Sequence, residues 1–138
     1  MEQFAMYGHA LVSIAIWALI VQLLSPISAA MKSKTGMAPG ATPVADYSNR
    51  IYRLDRSYQN SVETLAVFVA VTVAAMLAGV SPFWVNLLAS ASLVARMVMI
   101  FIHIQGIGKP ANGPRTALFV FSWALHVALA IMAIVAVF

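Results

Sequence analysis

Four stretches of this chain are each long and apolar enough to cross a lipid bilayer. A membrane-spanning helix needs about 20 mostly apolar residues to cover a hydrocarbon core of roughly 30 Å. Residues 7–30, 57–79, 83–105 and 115–138 meet that length, and the second helix has room to begin near Tyr47. Backbone polar groups in lipid must bond within their own segment, so each stretch is expected to be helical. Together they take up most of the 138 residues and leave no room for a separate soluble domain. The expected fold is all-α: a single membrane domain over residues 1–138, built as a four-helix integral membrane bundle.

Charge usage agrees with that reading. Only 9% of the residues are charged and 62% are hydrophobic, against about 25% and 45–50% in soluble domains. A soluble enzyme, a disordered chain and a nucleic-acid-binding domain are excluded. The formal net charge of +4 comes from eight Lys/Arg against four Asp/Glu. These basic residues fall in loops rather than on one face, so no nucleic-acid partner is expected. With no cysteine, the chain has no disulfide, thiolate metal site or cysteine nucleophile. Any thiol chemistry needs a thiol carried in by a ligand. No cluster of carboxylates and histidines has metal-ligand spacing, so no metal is expected.

Ser28-Ala29-Ala30 looks like a signal-peptide cleavage site. The segment before it carries Glu2 but no Lys or Arg, and its apolar run outlasts that of a signal peptide. Residues 7–30 are therefore read as a retained span. Lys32, Lys34, Arg50, Arg53 and Arg56 crowd the first connection and its exit, and Lys109 and Arg115 flank the third. The second connection, residues 78–82, has no charge. By the positive-inside rule, connections one and three face the cytoplasm and both termini face the opposite side. Tyr7 and Phe83-Trp84 are expected in an outer aromatic belt, with Tyr47, Tyr52 and Tyr58 near the inner one. Short loops and the lack of a retention signal point to a bacterial inner membrane.

Ionisable residues inside a span cost about 2.5–3.5 kcal/mol each on the insertion scale. Glu63 and Arg96 are the two that need a reason. Arg53, Arg56, Asn60 and Glu63 recur at spacings of 3, 4 and 3. At 100° per residue they share an arc of about 80°. Ala66, Ala70, Ala74 and Ala78 continue the line, and small residues let membrane helices approach closely, so this face is expected to meet protein. Ala89, Ser92, Arg96, Met99 and His103 share a face of the third span. At 1.5 Å per residue, Glu63 and Arg96 reach similar depths, about 9 and 13 Å from the cytoplasmic boundary, which predicts a Glu63–Arg96 ion pair. The Arg53, Arg56 and Asn60 ladder above it suits an anionic ligand, because a guanidinium fork binds carboxylates bidentately. Asp55 lies off that stripe and is expected in solvent. His126 reads as a hydrogen-bonded packing residue and His9 as solvated. His103 and His126 lie at different depths, which argues against a shared haem.

The run Arg53-Leu54-Asp55-Arg56-Ser57-Tyr58-Gln59-Asn60-Ser61-Val62-Glu63 resembles the second-helix signature of the MAPEG superfamily, the membrane-associated proteins in eicosanoid and glutathione metabolism. That signature has an Arg, then Asn four residues on, then Glu three beyond. Arg96 and the Pro114-Arg115-Thr116 start of the fourth span also resemble family positions, and the likeness covers essentially the whole chain. The resemblance implies a homotrimer with glutathione bound between neighbouring subunits near the cytoplasmic face. It implies that Arg53, Arg56, Asn60 and Glu63 bind glutathione, with Arg96 supporting Glu63. Glu63 would accept from the amino group and the arginines would hold the carboxylates. Arg115 and Thr116 would stand near the thiol, whose pKa of about 8.5 falls beside a guanidinium or hydroxyl donor.

The sequence departs from the family at two places. His103 stands where catalytic members often have tyrosine, and Gln59 where some have a second arginine. A histidine still donates a hydrogen bond and titrates near neutrality, so His103 is grouped with Arg115 and Thr116 as a catalytic candidate.

Three functions follow. The first is a glutathione transferase or peroxidase acting on apolar electrophiles or lipid hydroperoxides, favoured by the Arg56/Asn60/Glu63 ladder. The second is a non-catalytic lipid-binding or scaffold subunit, a role known in the family and favoured by His103. The third is a small transporter using Glu63 and Arg96 as a relay.

Overall fold

The computed structural model describes residues 2–138, which form helices and no strand. The helices are α1 (Glu2–Ala5), α2 (Gly8–Ser33), α3 (Arg50–Leu77), α4 (Pro82–Gln105) and α5 (Pro114–Val137). The last four have 24 to 28 residues, and each is long and apolar enough to cross a membrane. The chain is an integral membrane protein with the expected all-α four-helix architecture.

Local chemistry sets the helix ends. Pro82 and Pro114 open α4 and α5, where a missing N–H leaves no helical bond unmade. Asn49 caps α3, its side chain accepting from the Ile51 N–H at 2.8 Å. That cap starts α3 seven residues before the apolar stretch at residue 57, so its first two turns carry Arg53 and Arg56. Gly106 closes α4 at φ 72°. A Cβ there would lie 3.0 Å from Arg53 Cζ, so glycine also lets that guanidinium reach the end of α4.

Contacts at the two ends of the bundle define its topology. Tyr7 ahead of α2 meets Val80 beyond α3, and Ser28 near the end of α2 meets Asp55 near the start of α3, so these helices run antiparallel. Asn86 of α4 accepts from Ala10 N at 2.9 Å and donates to Met6 O at 2.8 Å, which sets the start of α4 beside that of α2. Ala10 N is one of the amides that a helix start leaves without an internal partner. Tyr7 is buried against the bundle, and its hydroxyl donates to Val80 O at 2.7 Å.

The apolar core runs along the bundle axis. Trp17, Phe68, Val85 and Leu129 are fully buried, and the Trp17 and Phe68 ring centroids lie 4.7 Å apart. Ala10, Ala75 and Ala89 are also fully buried, and their small side chains allow close helix approach. The expected small-residue seam on α3 is not part of this core. Ala66, Ala70 and Ala74 are exposed, as is Glu63 on the same line. The inward face of α3 is Leu54, Ser57, Ser61, Phe68, Thr72 and Ala75 instead. Within one chain, bulky Phe68 rather than the alanine line supplies the apolar area that seats α3.

Asp55 overturns another expectation. It is 3% exposed, not solvated. Lys32 Nζ and Ser28 Oγ donate to its Oδ1 at 2.7 and 2.9 Å, and Gln59 Nε2 donates to Oδ2 at 2.8 Å. Lys32 also donates to Ala41 O at 3.0 Å, tying the connection 34–49 to the same clamp. Removing one partner of a buried pair strands a charge. Asp55→Ala is therefore expected to cost about 3–5 kcal/mol of stability, and Glu63→Ala less than about 1 kcal/mol because its partner is exposed. Thermal unfolding of the detergent-solubilised variants tests this ordering.

Candidate functional site

A cavity of about 250 Å³ opens where α3, α4, α5 and the connection 34–49 converge. α3 contributes Arg56, Ser57 and Asn60 to its lining, and α4 contributes Met99 and His103. α5 adds Arg115, Thr116 and Phe119, and the connection adds Tyr47. Helical spacing explains the selection, since residues three or four apart share a face. Arg56 and Asn60, Met99 and His103, and Arg115 and Phe119 are such pairs.

The cavity floor rests on Arg96, which is 2% exposed. Its Nη1 donates to Asn60 Oδ1 at 2.8 Å and its Nε to Ser122 Oγ at 3.0 Å. Ser122 Oγ lies 2.8 Å from Ser92 Oγ, which in turn lies 2.7 Å from His126 Nε2. The guanidinium sits over the rings of Trp17 and Phe119, at 5.3 and 4.9 Å. His126 also packs against Trp17 and Phe68 and serves the core.

The expected Glu63–Arg96 ion pair is absent. Glu63 instead accepts from Arg56 Nη1 at 3.1 Å, on the outward face. Similar depth along the axis does not fix a partner; rotation about the helix axis does. Three residues separate Asn60 and Glu63, a turn of about 60° short of a full circle. That rotation sends Asn60 inward to Arg96 and Glu63 outward. Positions 56 and 63, two turns apart, then share one edge of the helix.

Over the cavity mouth, Arg115 Nη2 donates to Pro110 O at 2.6 Å. Its Nη1 lies 3.3 Å from His103 Nδ1. A guanidinium is a donor only, so Nδ1 accepts and the ring proton resides on Nε2. His103 Nε2 has no partner and is buried, and so is Ser57 Oγ. Each unmatched buried polar group costs about 1–3 kcal/mol. Both residues line the cavity, but these two atoms are themselves buried beneath its surface. The Tyr47 ring covers the Arg115 guanidinium at 5.2 Å. Arg115 beside it holds the Tyr47 phenol below its ordinary value of 10.

Of the residues expected from sequence, Arg56, Asn60, His103, Arg115 and Thr116 meet at this cavity. Arg96 backs it through Asn60. Arg53 and Glu63 do not line it. Arg53 borders a smaller cavity of about 40 Å³ under the connection 106–113. Its Nη1 donates to Tyr47 O and Ser48 O at 2.8 and 2.7 Å, and its Nε to Ile104 O at 3.2 Å. Tyr47, Ser57, Met99 and Phe119 were missed as site residues. Phe119 was open to discovery, one turn beyond Arg115, whereas nothing in the spacing of Tyr47 marks it.

No carboxylate lines the cavity, while two guanidiniums, an amide and several hydroxyls do. That donor set is chemically suited to an anion, and Met99 and Phe119 give the cavity an apolar wall. The MAPEG family model matches residues 7–135 of the chain. No curated protein and no solved structure matches it. The geometry separates two energetic couplings. Asn60→Ala and Arg96→Ala are expected to couple by about 0.5–3 kcal/mol, and Glu63→Ala and Arg96→Ala to add within about 0.5 kcal/mol. Double-mutant cycles on unfolding read both.

Proposed function

The chain belongs to the MAPEG family, and from that premise we propose that it is a membrane-bound glutathione-dependent transferase or peroxidase acting on apolar electrophiles or lipid hydroperoxides. The cationic cavity, free of carboxylates and lined by Arg56, Asn60 and Arg115, carries this reading. Arg56 and Asn60 offer donors to a ligand carboxylate. Arg115 places a fixed positive charge where a thiol can be held as thiolate. Thr116 adds a neutral donor beside it. Glu63, on the outward face, accepts from an ammonium group. Bound glutathione supplies a sulfur nucleophile: it bonds to carbon as a leaving group departs with the bonding electrons, or two thiols become one disulfide as a hydroperoxide becomes alcohol and water.

The outward face of α3 supports binding between subunits. Arg56 and Glu63 form an ion pair with side chains 37% and 55% exposed, continued by exposed Ala66, Ala70 and Ala74. Charge facing lipid is costly, and small residues admit a neighbouring helix. A second copy of the chain covers this face in the proposed homotrimer. The cavity of about 250 Å³ is smaller than most ligand pockets, which run about 300–1,000 Å³. A tripeptide held there extends toward Glu63 and the neighbouring subunit. The cavity lies at the end of the bundle bearing connections one and three, so it opens to the cytoplasm in the proposed orientation in a bacterial inner membrane. Apolar substrates and membrane lipids reach it from the bilayer.

His103, in place of the tyrosine expected in catalytic relatives, favours a second reading: a non-catalytic lipid-binding or scaffold subunit. Calorimetric titration of glutathione into the detergent-purified protein separates the two. The enzyme reading expects binding at roughly micromolar to millimolar concentration, weakened in Arg56→Ala and Glu63→Ala. Arg115→Ala is expected to lower turnover by about 10²–10³-fold. A folded protein that binds no glutathione overturns the enzyme reading in favour of the scaffold.

A further inference from the structure

Tyr47 belongs to the irregular connection 34–49, yet it borders both cavities. Its position is built rather than incidental. Its carbonyl accepts from Arg53 Nη1 at 2.8 Å, and the next carbonyl, of Ser48, accepts from the same nitrogen at 2.7 Å. The same guanidinium donates to Ile104 O at 3.2 Å, which staples this part of the connection to the end of α4. Just before Tyr47, Asp46 takes the N–H and hydroxyl of Ser48 at 2.8 and 2.7 Å and closes a turn. Earlier in the connection, Lys32 holds Ala41 O.

The ring held this way covers Arg115 at 5.2 Å and stands edge-on to His103 at 5.8 Å and to Tyr52 at 5.1 Å. The titratable groups around it are Tyr52, Arg53 and Arg56 from α3, His103 from α4, Arg115 from α5, and Lys109 across the smaller cavity. The nearest carboxylate in sequence, Asp46, is occupied by Ser48.

We propose that Tyr47 is a ligand-contacting residue of the cavity, its hydroxyl donating a hydrogen bond to the anionic sulfur of a bound thiol. The proposal rests on the reading of this cavity as a glutathione site and assigns the sulfur's surroundings within it. Arg115 already spends N–H groups on Pro110 O and His103 Nδ1, so its charge is fixed while part of its donor capacity is used. The hydroxyl beside it supplies a directional donor. The choice of sulfur over carboxylate follows from the walls. Arg56 and Asn60 present charge and amide on the α3 side, suited to a strongly hydrated carboxylate. The Tyr47 ring covers Arg115, and Phe119 of α5 and Met99 of α4 line the same cavity, surroundings suited to a soft, weakly hydrated thiolate that an apolar electrophile must approach. The thiol proton leaves to water, and the Tyr47 proton stays on the phenol. Because Arg115 lowers the phenol from 10, that donor is lost at a pH below the ordinary phenol value.

The test uses the full-length protein in detergent with Tyr47→Phe and Tyr47→Leu. Phenylalanine keeps the ring over Arg115 and removes only the hydroxyl. The thiolate absorbance of bound glutathione, titrated against pH, reads the thiol pKa directly. Losing a hydrogen bond to the charged form raises that pKa. Tyr47→Phe is expected to raise it by about one unit, a roughly tenfold loss of thiolate near neutrality. Glutathione affinity should stay within about twofold, and S-methylglutathione, which has no ionisable thiol, should bind as tightly as it does to the wild type. The alkaline decline of the wild-type rate should be missing from the Tyr47→Phe profile. Tyr47→Leu, which also frees Arg115, should weaken binding as well. An unchanged thiol pKa and pH profile in Tyr47→Phe overturns the proposal while leaving the glutathione site standing. Equal loss of glutathione and S-methylglutathione binding in Tyr47→Phe also overturns it, by moving the contact away from sulfur. A wild-type protein that binds no glutathione overturns the reading of the cavity and this proposal with it.

Discussion

The bundle is organised around a cation buried without a carboxylate. Arg96 is 2% exposed within α4, and its partners are neutral: Asn60, Ser122, and the faces of Trp17 and Phe119. A guanidinium in an apolar interior is tolerated only when its N–H groups and charge are met. Meeting them requires residues from α2, α3 and α5 at once. Asn60 sets the rotation of α3, Trp17 that of α2, and Ser122 and Phe119 that of α5. The Ser92–Ser122–His126 chain extends the same network along the α4–α5 seam. A delocalised, weakly hydrated guanidinium suits this role better than an ammonium, because its faces accept aromatic rings while its edge donates.

The electrostatics of the cavity follow from where the acidic side chains go. Asp55 is consumed by Lys32, Ser28 and Gln59 at the junction of α2 and α3. Asp46 is consumed by Ser48 in the connection, and Glu63 points outward beside Arg56. None of the three lines the cavity: Arg56 meets Glu63 only on its outward side, and Arg115 has no carboxylate partner among the described residues. A structural clamp and a cavity free of carboxylates are thus two results of one arrangement. Had Glu63 neutralised Arg96 as its depth suggested, Asn60 would have lost its partner and the floor of the cavity its donor network.

Much of this was legible in the sequence. The four helices were, because apolar length is a local property that no tertiary contact can reverse in lipid. Arg56, Asn60, His103, Arg115 and Thr116 were legible, two through a short motif on one helix and the others through the family resemblance. Asp55 was not. An acidic residue off the polar stripe reads as solvated until Lys32, 23 residues away, is seen to reach it. Tyr47 was not legible either, because the path of an irregular connection depends on the helix ends that staple it.

The sequence by itself determined the class of protein, the number of spans, the absence of any protein thiol and the cationic character of one end. Each of these is a sum over residues or a pattern within one helix. Only the tertiary structure decided which way each charged side chain turns. It gave Arg96 to Asn60, Asp55 to Lys32, Arg53 to the backbone of the connection, and Tyr47 to Arg115. The physical reason is rotation. A helix can turn about its axis without changing its span or depth, and that turn is set by what the other helices offer it.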